Sequence, residues 1–258
     1  MAWVRPLQFR GKPRLFEPWT SRLGKRRATV FNAPMLLDTA NYVDRMIWTG
    51  CYEPLNVWRF RRILSPGDVV VDAGANIGFF SVLAAAIVGP GGKVIAVEPH
   101  PDNLRLLRES VRHLSQVSVG EYGLDEAAGT GHVAMADQEL FANRTASMVG
   151  GNGHEVATRT VDSIVDSIGE VDLLKIDVDG YEMRILRGAE KSMRAGLVRN
   201  LIVEISPHWF DAADESIQEL DALMTRCAMV DVSRETSIAS MFLGRTADRH
   251  YRHAVPAT

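Results

Sequence analysis

An apolar run that ends in an acidic residue and a glycine-rich turn constrains this fold most. It reads Val69-Val70-Val71-Asp72-Ala73-Gly74-Ala75-Asn76-Ile77-Gly78. Three consecutive β-branched residues after a Pro-Gly turn indicate a strand buried on both faces. An alanine-rich helix is predicted from about Ile77 to Val88, where a Gly-Pro-Gly-Gly sequence ends it. A strand that runs through a glycine turn into a helix is how open α/β sheets build a ligand pocket.

The spacing around this turn indicates which ligand the pocket takes. A dinucleotide-binding turn has the pattern G-x-G-x-x-G, whereas here Asp72 lies two residues before Gly74, and Gly78 follows. A carboxylate at this position suits a cation better than a diphosphate. S-adenosylmethionine offers an ammonium and a sulfonium, and its carboxylate can lie at the helix N-terminus.

A second acid follows at the end of the next predicted strand, which runs from Lys93 to Val97. Glu98 stands there, and a carboxylate at this point can accept hydrogen bonds from both ribose hydroxyls. The combination of strand, acid, glycine turn, helix, strand and second acid therefore predicts an S-adenosylmethionine site. The alternative is a tight turn and a surface glutamate in an unrelated α/β protein.

Composition limits the class of protein. With 258 residues and 46% hydrophobic content, the chain is large enough for one large core or for one domain with an appendage. A net charge of -3 gives no electrostatic case for nucleic-acid binding. Cys51 and Cys227 form no C-x-x-C pair, which favours reduced thiols in a cytoplasmic protein. The sequence shows no transmembrane stretch and no signal-peptide apolar run.

The ends of the chain differ from its middle. Residues 1 to about 27 are basic with interleaved aromatic residues, so this arm either meets an anionic partner or packs its aromatics on the domain or on a second subunit of a homodimer. We expect residues 1–64 to form this arm and a lead-in helix from Leu55 to Leu64, and residues 65–244 to form the α/β domain. Residues 245–258 are expected to be a loose tail, in which His250 and His253 hold no metal.

Further elements follow from the hydrophobic pattern. A strand pair is expected within Thr29–Leu37, and Gln138 to Glu155 reads as a long loop. The later predicted elements are strands at Val117–Tyr122, Val171–Ile176 and Leu201–Ile205, a short helix at Thr160–Val165, a helix at Tyr181–Met193, and two late strands at Met229–Val232 and Ile238–Leu243 that form an antiparallel edge.

Acidic residues end four of the predicted parallel strands, at Asp72, Glu98, Asp177 and Glu204. Ligands of open α/β sheets bind beyond these strand ends. Lys175 and Asp177 alternate along their strand and so point the same way. An alcohol acceptor needs a base, for which the candidates are His208, Asp179, Glu182 and Asp177.

Some of these residues have a second interpretation. His208 is equally well a surface histidine just past a strand end, and Lys175 is equally well a lysine paired with Asp177 or Glu204. Clustered acids can also hold a divalent cation such as Mg²⁺, and Asp177 with Glu204 would form the core of that site.

Three motifs carry a resemblance to a known family. Asp72-Ala-Gly-Ala-Asn-Ile-Gly-Phe-Phe, Glu98-Pro-His-Pro and Leu174-Lys-Ile-Asp-Val-Asp-Gly-Tyr-Glu182 resemble, in this order, the FkbM family of S-adenosylmethionine-dependent methyltransferases. The similarity runs from about Gly50 to Ile205 and includes Gly50-Cys-Tyr-Glu53 and Thr160-Val-Asp-Ser-Ile.

This resemblance implies a Rossmann-like class I methyltransferase fold of the α/β class, with a mostly parallel central sheet, helices on both faces and an antiparallel edge. It implies O-methylation of sugars or polyketide-type natural products. The cofactor contacts that it implies are Glu53, Asp72, Gly74, Asn76, Gly78 and Glu98, with Asp125 or Glu126 reaching the adenine amino group or the ribose.

Some positions depart from the family pattern. His100 stands where the family commonly has Asn, Asp179 where it has Glu, and Tyr181 where it has Ala. The arm and the residues after about Ile205 match no motif, so the choice of acceptor is expected to lie in those regions.

Three functions compete. The leading hypothesis is an O-methyltransferase acting on a small-molecule or oligosaccharide acceptor. A nucleic-acid methyltransferase of the amino-methylating class would carry Asn/Asp-Pro-Pro-aromatic after the fourth strand to hold a flipped base, but this chain has Asp177-Val-Asp-Gly there. The third is a non-catalytic cofactor-binding or scaffold protein.

Overall fold

The computed structural model describes residues 20, 22–135, 146–149, 153–178, 180–205, 216–233 and 248–254. The strands in this part of the chain are β1 (Lys25–Val30), β2 (Ala33–Asp38), β3 (Val69–Ala73), β4 (Lys93–Val97), β5 (Val117–Gly120), β6 (Gly123–Leu124), β7 (Gly129–Met135), β8 (Ala146–Val149), β9 (His154–Arg159), β10 (Leu173–Ile176), β11 (Asn200–Glu204), β12 (Met229–Asp231) and β13 (Asp248–His253). The helices are α1 (Tyr42–Thr49), α2 (Pro54–Ile63), α3 (Phe79–Val88), α4 (Pro101–Val111), α5 (Val161–Ile168), α6 (Glu182–Arg187), α7 (Glu190–Arg194) and α8 (Ile217–Arg226).

The main sheet has the order β12-β13-β11-β10-β3-β4-β5. The pairs from β11 across to β5 are parallel, while β13 pairs antiparallel with both β11 and β12. The expected α/β class is confirmed, with a mostly parallel sheet and an antiparallel edge. Because β3 is the central one of the five parallel strands, its carboxyl end opens at the centre of the edge where ligands bind.

Alternating residues of the central strands face two separate helix layers. Val71 packs in one core with residues of α5, α6, α7 and α8. Val70 packs in the other with residues of α1, α2, α3 and α4. This two-residue period places Asp72 and Lys175 on the α1–α3 side of the sheet. Neighbouring positions 72 and 175 are also paired across β3 and β10.

The described part of the N-terminal segment belongs to the same core as the sheet. β1 and β2 form an antiparallel hairpin, which confirms the predicted strand pair. Its buried residues Val30, Met35 and Leu37 pack in one cluster with Val70 of β3. The boundary placed between residues 64 and 65 therefore does not separate two cores. Most of the predicted basic arm lies outside the described residues.

The expectation of a loose tail is wrong for Asp248–His253. These residues form β13, inserted between β11 and β12, and Tyr251 is only 1% exposed. His250 is buried, and its Nε2 lies 3.2 Å from Asn200 Oδ1. The two neighbouring strands supply backbone partners that a polar sequence does not reveal by its own pattern. Of the predicted late strands, Met229–Asp231 is confirmed, and 238–243 lies outside the described residues.

Two other predicted segments, a loop and a helix, differ in the structure. The predicted loop from Gln138 to Glu155 contains β8 and the start of β9, which belong to a second sheet of order β6-β9-β7-β8. The helix predicted from Tyr181 to Met193 is divided into α6 and α7. The break falls near Gly188, where a Cβ would lie 2.2 Å from the carbonyl oxygen of Asp125. In the part of the chain described here, no helix combines the length and apolar character needed to cross a bilayer.

Candidate functional site

The turn after β3 is shaped by a close backbone approach. Gly74 has φ +80°, and a Cβ on it would lie 1.9 Å from the carbonyl oxygen of Asp177. The amides of Gly74 and Ala75 both donate to the Val97 carbonyl, at 3.0 and 2.9 Å. Only glycine fits at position 74, because a side chain there would push β3 and β10 apart at their carboxyl ends.

Asp72 is a buried acid with spare hydrogen-bonding capacity. Its side chain is 1% exposed, and its Oδ2 accepts a hydrogen bond of 2.6 Å from the Ser81 hydroxyl. Its Oδ1 has no hydrogen-bond partner among the described residues. Burial raises the pKa of Asp72, although the Lys175 charge and the Ser81 hydroxyl work in the opposite direction. A buried acceptor left in this way is costly unless a ligand donates to it.

Glu98 fixes the turn to the end of β4. Its two carboxylate oxygens accept 2.9 Å hydrogen bonds, one from the Asn76 amide and one from the His100 amide. Burial raises the pKa of Glu98 to about 7. His100, an unusual residue for this motif, accepts a 3.3 Å hydrogen bond from the Asp102 amide and so caps α4 as an asparagine would.

Two adjoining hollows open at this sheet edge. The small one, of about 50 Å³, is bordered by Asn76, Glu98 and Asn103 and by the apolar side chains of Leu124, Tyr181 and Ile185. The large one has a volume of about 360 Å³. Gly74, Asn76 and Asp177 border both, so the two hollows form one cleft around the glycine turn.

The large hollow has a charged wall and an apolar wall. The charged wall comes from the sheet and the start of α2 and consists of Glu53, Asp72, Lys175, Asp177 and Glu204. The apolar wall comes mainly from α1 and α3 and consists of Tyr42, Val43, Met46, Ile47, Tyr52, Ile77, Phe79 and Phe80. A ligand here meets acids on one side and aliphatic or aromatic carbon on the other.

Lys175 is a buried cation held between an acid and an aromatic ring. Its Nζ lies 2.6 Å from Asp177 Oδ2 and 4.6 Å from the centroid of the Phe80 ring. Burial disfavours its charge, but the charges of Asp177, Glu53 and Asp72 outweigh it and raise its pKa. The paired-lysine interpretation of Lys175 is therefore supported at the side-chain level.

Asp177 and Glu204 share one proton. Burial opposes ionisation of Asp177, but the Lys175 charge and hydrogen bonds from Glu204 and Lys175 lower its pKa. The negative charge of Asp177, followed by burial, raises the pKa of Glu204 to about 10. At neutral pH Glu204 is therefore a neutral acid that donates a hydrogen bond to Asp177.

The Mg²⁺ site expected at Asp177 and Glu204 is not supported. The Lys175 Nζ, 2.6 Å from Asp177 Oδ2, already places a positive charge beside the carboxylate that would bind the ion. Across the described residues, no group of three His, Cys, Asp or Glu side chains is arranged to hold a metal ion.

Two predicted site residues have hydrogen-bond partners within the protein. Both carboxylate oxygens of Glu182 lie 3.0 Å from the Gly180 amide, so this acid closes the turn before α6. Asp125 Oδ1 accepts a 2.7 Å hydrogen bond from Arg184 Nε. Neither residue borders either hollow of the described cleft. Asp179 and His208 lie outside the described residues.

Several polar residues at the site were not identified from the sequence. Tyr52 borders the cleft, and its hydroxyl hydrogen-bonds Glu53. Behind Glu53, Asn56 and Arg59 of α2 are buried and contact Asp248 of β13. One available signal was the polar pair at i, i+3 on a helix face that also carries Leu55 and Phe60.

The sheet order, the glycine turn, the acid near the end of β3 and the acid after β4 define a Rossmann-like class I methyltransferase fold. The chain belongs to the family of the methyltransferase FkbM domain, whose model matches residues 72–229.

Two relatives and one solved structure are similar to this chain. It is 35% identical over 162 residues to the 31-O-demethyl-FK506 methyltransferase FkbM of Streptomyces tacrolimicus, which covers 49% of this chain and 61% of that protein. It is 28% identical over 205 residues to the methyltransferase sdnD of Sordaria araneosa, which covers 64% of this chain and 74% of that protein. A crystal structure of methyltransferase FkbM from Methylobacillus flagellatus KT aligns with a TM-score of 0.49 at 16% identity and covers 81% of this chain and 52% of that one. The chain thus spans about three fifths of the Streptomyces relative.

Proposed function

We propose that this protein transfers a methyl group from S-adenosylmethionine to a hydroxyl group of a small-molecule acceptor, either a sugar or a polyketide-type natural product. The observation that carries the proposal is the Asp72 Oδ1 atom, which is buried at the cleft with no described partner. A ligand with a positively charged donor at that point satisfies it, and the ammonium of this cofactor is such a group.

The cleft fits the cofactor in two parts. Asp72 in the large hollow would hold the amino-acid end, assisted by Glu53. Glu98 in the small hollow would accept from the ribose hydroxyls, alongside the hydrogen bonds that it accepts from the Asn76 and His100 amides and from the Asn103 side chain. Leu124, Tyr181 and Ile185 offer an apolar surface for the adenine. The Cβ-free surface of Gly74 lies between the two hollows.

The acceptor side follows from the remaining walls. When bound, the cofactor supplies an activated methyl group: the acceptor oxygen bonds to the methyl carbon, the carbon–sulfur bond breaks, and the hydroxyl proton leaves to a base or to water. Asp177 is the described carboxylate next to this position, and Asp179 and His208 remain candidates for the base. Glu204 is unsuited to that role because it already holds a proton.

Two observations support methylation at oxygen and a natural-product acceptor. The name of the Streptomyces relative describes its substrate as demethylated at an oxygen atom, which indicates that this relative methylates oxygen. The apolar wall from α1 suits an acceptor that carries carbon surface beside its hydroxyl.

Calorimetric titration with S-adenosylmethionine and, separately, with NAD tests the proposal. We expect binding of the first and no binding of the second. A screen of oligosaccharides and macrolide-type alcohols, with the demethylated cofactor as readout and with and without EDTA, then identifies the acceptor. Tight NAD binding with no response to S-adenosylmethionine would refute the proposal. Binding without turnover on any acceptor would favour the non-catalytic alternative.

A further inference from the structure

Glu53 has an unusual backbone conformation at the N-terminus of α2. Its φ of 38° and ψ of 57° lie in the left-handed region, which a residue with a side chain rarely adopts. As the N-cap of α2 it makes no side-chain hydrogen bond to the amides of that helix. Strain of this kind persists only where the surroundings hold it, and it is common at ligand sites.

A chain of buried polar side chains holds Glu53 from behind. Asn56 Nδ2 donates to Glu53 Oε2 at 2.7 Å. Arg59 Nη1 donates to Asn56 Oδ1 at 2.8 Å, and both Arg59 Nη atoms lie 3.4 Å from the Asp248 carbonyl oxygen. Asn56 is 0% exposed and Arg59 3%. We call Asn56, Arg59 and Asp248 the α2–β13 relay.

The position of this relay is costly for stability. Leu55 and Phe60 are buried on the same helix, so apolar residues at positions 56 and 59 would complete an ordinary core face. Burying an amide and a guanidinium there requires that they be hydrogen-bonded. Their partners lead to the cleft on one side and to β13 on the other, which points to a role at the cleft.

Charged groups from every neighbouring element act on Glu53. The charged groups are Arg59 on α2, Lys175 on β10, Asp177 just after β10 and Asp248 on β13, and the neutral side chains of Tyr52 and Asn56 add hydrogen bonds. Burial, then the Asp177 charge, raises the pKa of Glu53 to about 7, while Lys175 and the Asn56 hydrogen bond lower it. The Asn56 hydrogen bond therefore favours the carboxylate form.

We propose that Asn56 and Arg59 are positioning residues, which with Asp248 hold Glu53 as an oriented anion for the positively charged end of the methyl donor. The proposal rests on the proposed function, because it needs a cationic ligand in the large hollow. Asn56 acts on Glu53 directly. Arg59 acts through Asn56, whose side-chain amide it orients by donating to the oxygen. The amide nitrogen is left to donate to Glu53 and to the Asp248 side chain.

The test is a double-mutant cycle read by calorimetric titration with S-adenosylmethionine. The single variants are Glu53→Gln, Asn56→Ala and Arg59→Met, and each α2 change is also made in the Glu53→Gln background. Arg62→Met is the matched control, since Arg62 is exposed on the same helix. Each protein is titrated between about pH 6 and pH 8, the range in which a shifted carboxylate ionises, and its melting temperature is measured.

We expect Glu53→Gln to weaken binding by about tenfold, the effect of losing one hydrogen bond to a charged group. Asn56→Ala should move the pH midpoint of binding upward by about one unit, because the hydrogen bond that favours the anion is gone. In the Glu53→Gln background the same change should have little further effect on binding. Arg59→Met should follow Asn56→Ala, and Arg62→Met should match the parent.

The outcomes separate the two proposals. If the parent protein does not bind S-adenosylmethionine at all, the proposed function fails. If the parent binds but Asn56→Ala leaves the midpoint unchanged, or weakens binding equally with and without Glu53, the relay is structural only and this proposal is overturned. If Arg59→Met does not fold, Asn56→Ala together with Asn56→Leu, which removes the donor to Glu53 without adding a charge, decides in the same way.

Discussion

The two halves of the cleft are built in different ways. The donor half consists of β3, the turn from Gly74 to Gly78 and Glu98, and it is encoded within a short stretch of chain. The acceptor half is named for the acceptor that it is proposed to face, although its residue Glu53 is also proposed to reach the donor. It consists of α1, α2 and the ends of β10, β11 and β13, which come from distant parts of the sequence. Glu53 and Asp248 act on each other electrostatically in this half although 195 residues separate them.

The chemistry of the halves differs in the same sense. In the donor half, acids meet backbone amides, as Glu98 does at Asn76 and His100. In the acceptor half, acids meet one another and two buried cations, so their protonation depends on the whole cluster. Backbone geometry therefore determines how the acids of the donor half are held, and the balance of charges determines the protonation of the acids in the acceptor half.

The largest effect is expected at the turn of the donor half. Gly74→Ala combines a left-handed φ with a Cβ at 1.9 Å from the Asp177 carbonyl oxygen. We expect a loss of about 3–5 kcal/mol in unfolding free energy, since backbone strain and overpacking add. Gly67→Ala is the control, because its φ is +95° with no atom within 4 Å of the new Cβ, and it should lose roughly 1–2 kcal/mol. Equal losses in chemical denaturation would contradict the close approach.

Asp72→Asn should have the next largest effect, on donor binding and not on folding. The variant removes the negative charge at the unpartnered buried oxygen and keeps an acceptor for Ser81. We expect S-adenosylmethionine to bind about 10–100-fold more weakly in calorimetry. The melting temperature should be unchanged or higher at neutral pH, since a buried charge is gone. Asp68→Asn, on the turn before β3, should bind like the parent, and parental affinity in Asp72→Asn would remove the main support for the proposed function.

The pH dependence should distinguish binding from stability. Glu53 and Glu98 both have a pKa raised from 4.5 to about 7. Donor affinity should therefore rise between about pH 6 and pH 8 as both carboxylates ionise. In the unfolded chain these carboxyl groups have their ordinary pKa of 4.5, so between pH 4.5 and about pH 7 the native state binds more protons than the unfolded state. The free energy of unfolding should therefore fall as pH rises through that window. Measuring Glu53→Gln and Glu98→Gln separately shows how much of the pH dependence each carboxylate contributes. A donor affinity that does not change with pH would contradict the roles of both carboxylates.

The smallest effect is expected at Glu204 in the acceptor half. Because Glu204 is a neutral acid at pH 7, Glu204→Gln keeps both its charge state and a donor for Asp177. Donor affinity and turnover should stay within about twofold of the parent, since no hydrogen bond is lost. EDTA should change neither protein. The contrary result is a large loss of activity in Glu204→Gln, together with a loss in EDTA-treated parent protein that added Mg²⁺ restores. It would show that Glu204 is an ionised metal ligand.

The sequence was sufficient for the donor half because that half is local. Asp72, Gly74 and Glu98 each follow from a strand end or a turn, and the parallel order of β3, β4 and β10 brings them together by the ordinary rules of open sheets. The period-two pattern of Lys175 and Asp177 was also readable, since it depends on one strand only.

The acceptor half was not readable for physical reasons. β13 has a polar sequence and becomes a strand because β11 and β12 pair with it, so its own pattern predicts a tail. Asn56 and Arg59 resemble solvent-facing helix residues until β13 covers them. The proton on Glu204 depends on Asp177 and on burial, neither of which a sequence displays. The hydrogen bonds of Asp125 with Arg184 and of Glu182 with the Gly180 amide were likewise not readable from the sequence.

A structure of this protein crystallised with S-adenosylmethionine tests the account most directly. The expected result places Asp72 Oδ1 within about 3 Å of the cofactor amino group, Glu98 at the two ribose hydroxyls, and Glu53 beside the charged end with Asn56 and Arg59 still behind it. A structure with these carboxylates turned away from the cofactor, or with a phosphate-bearing nucleotide preferred at the glycine turn, would contradict it.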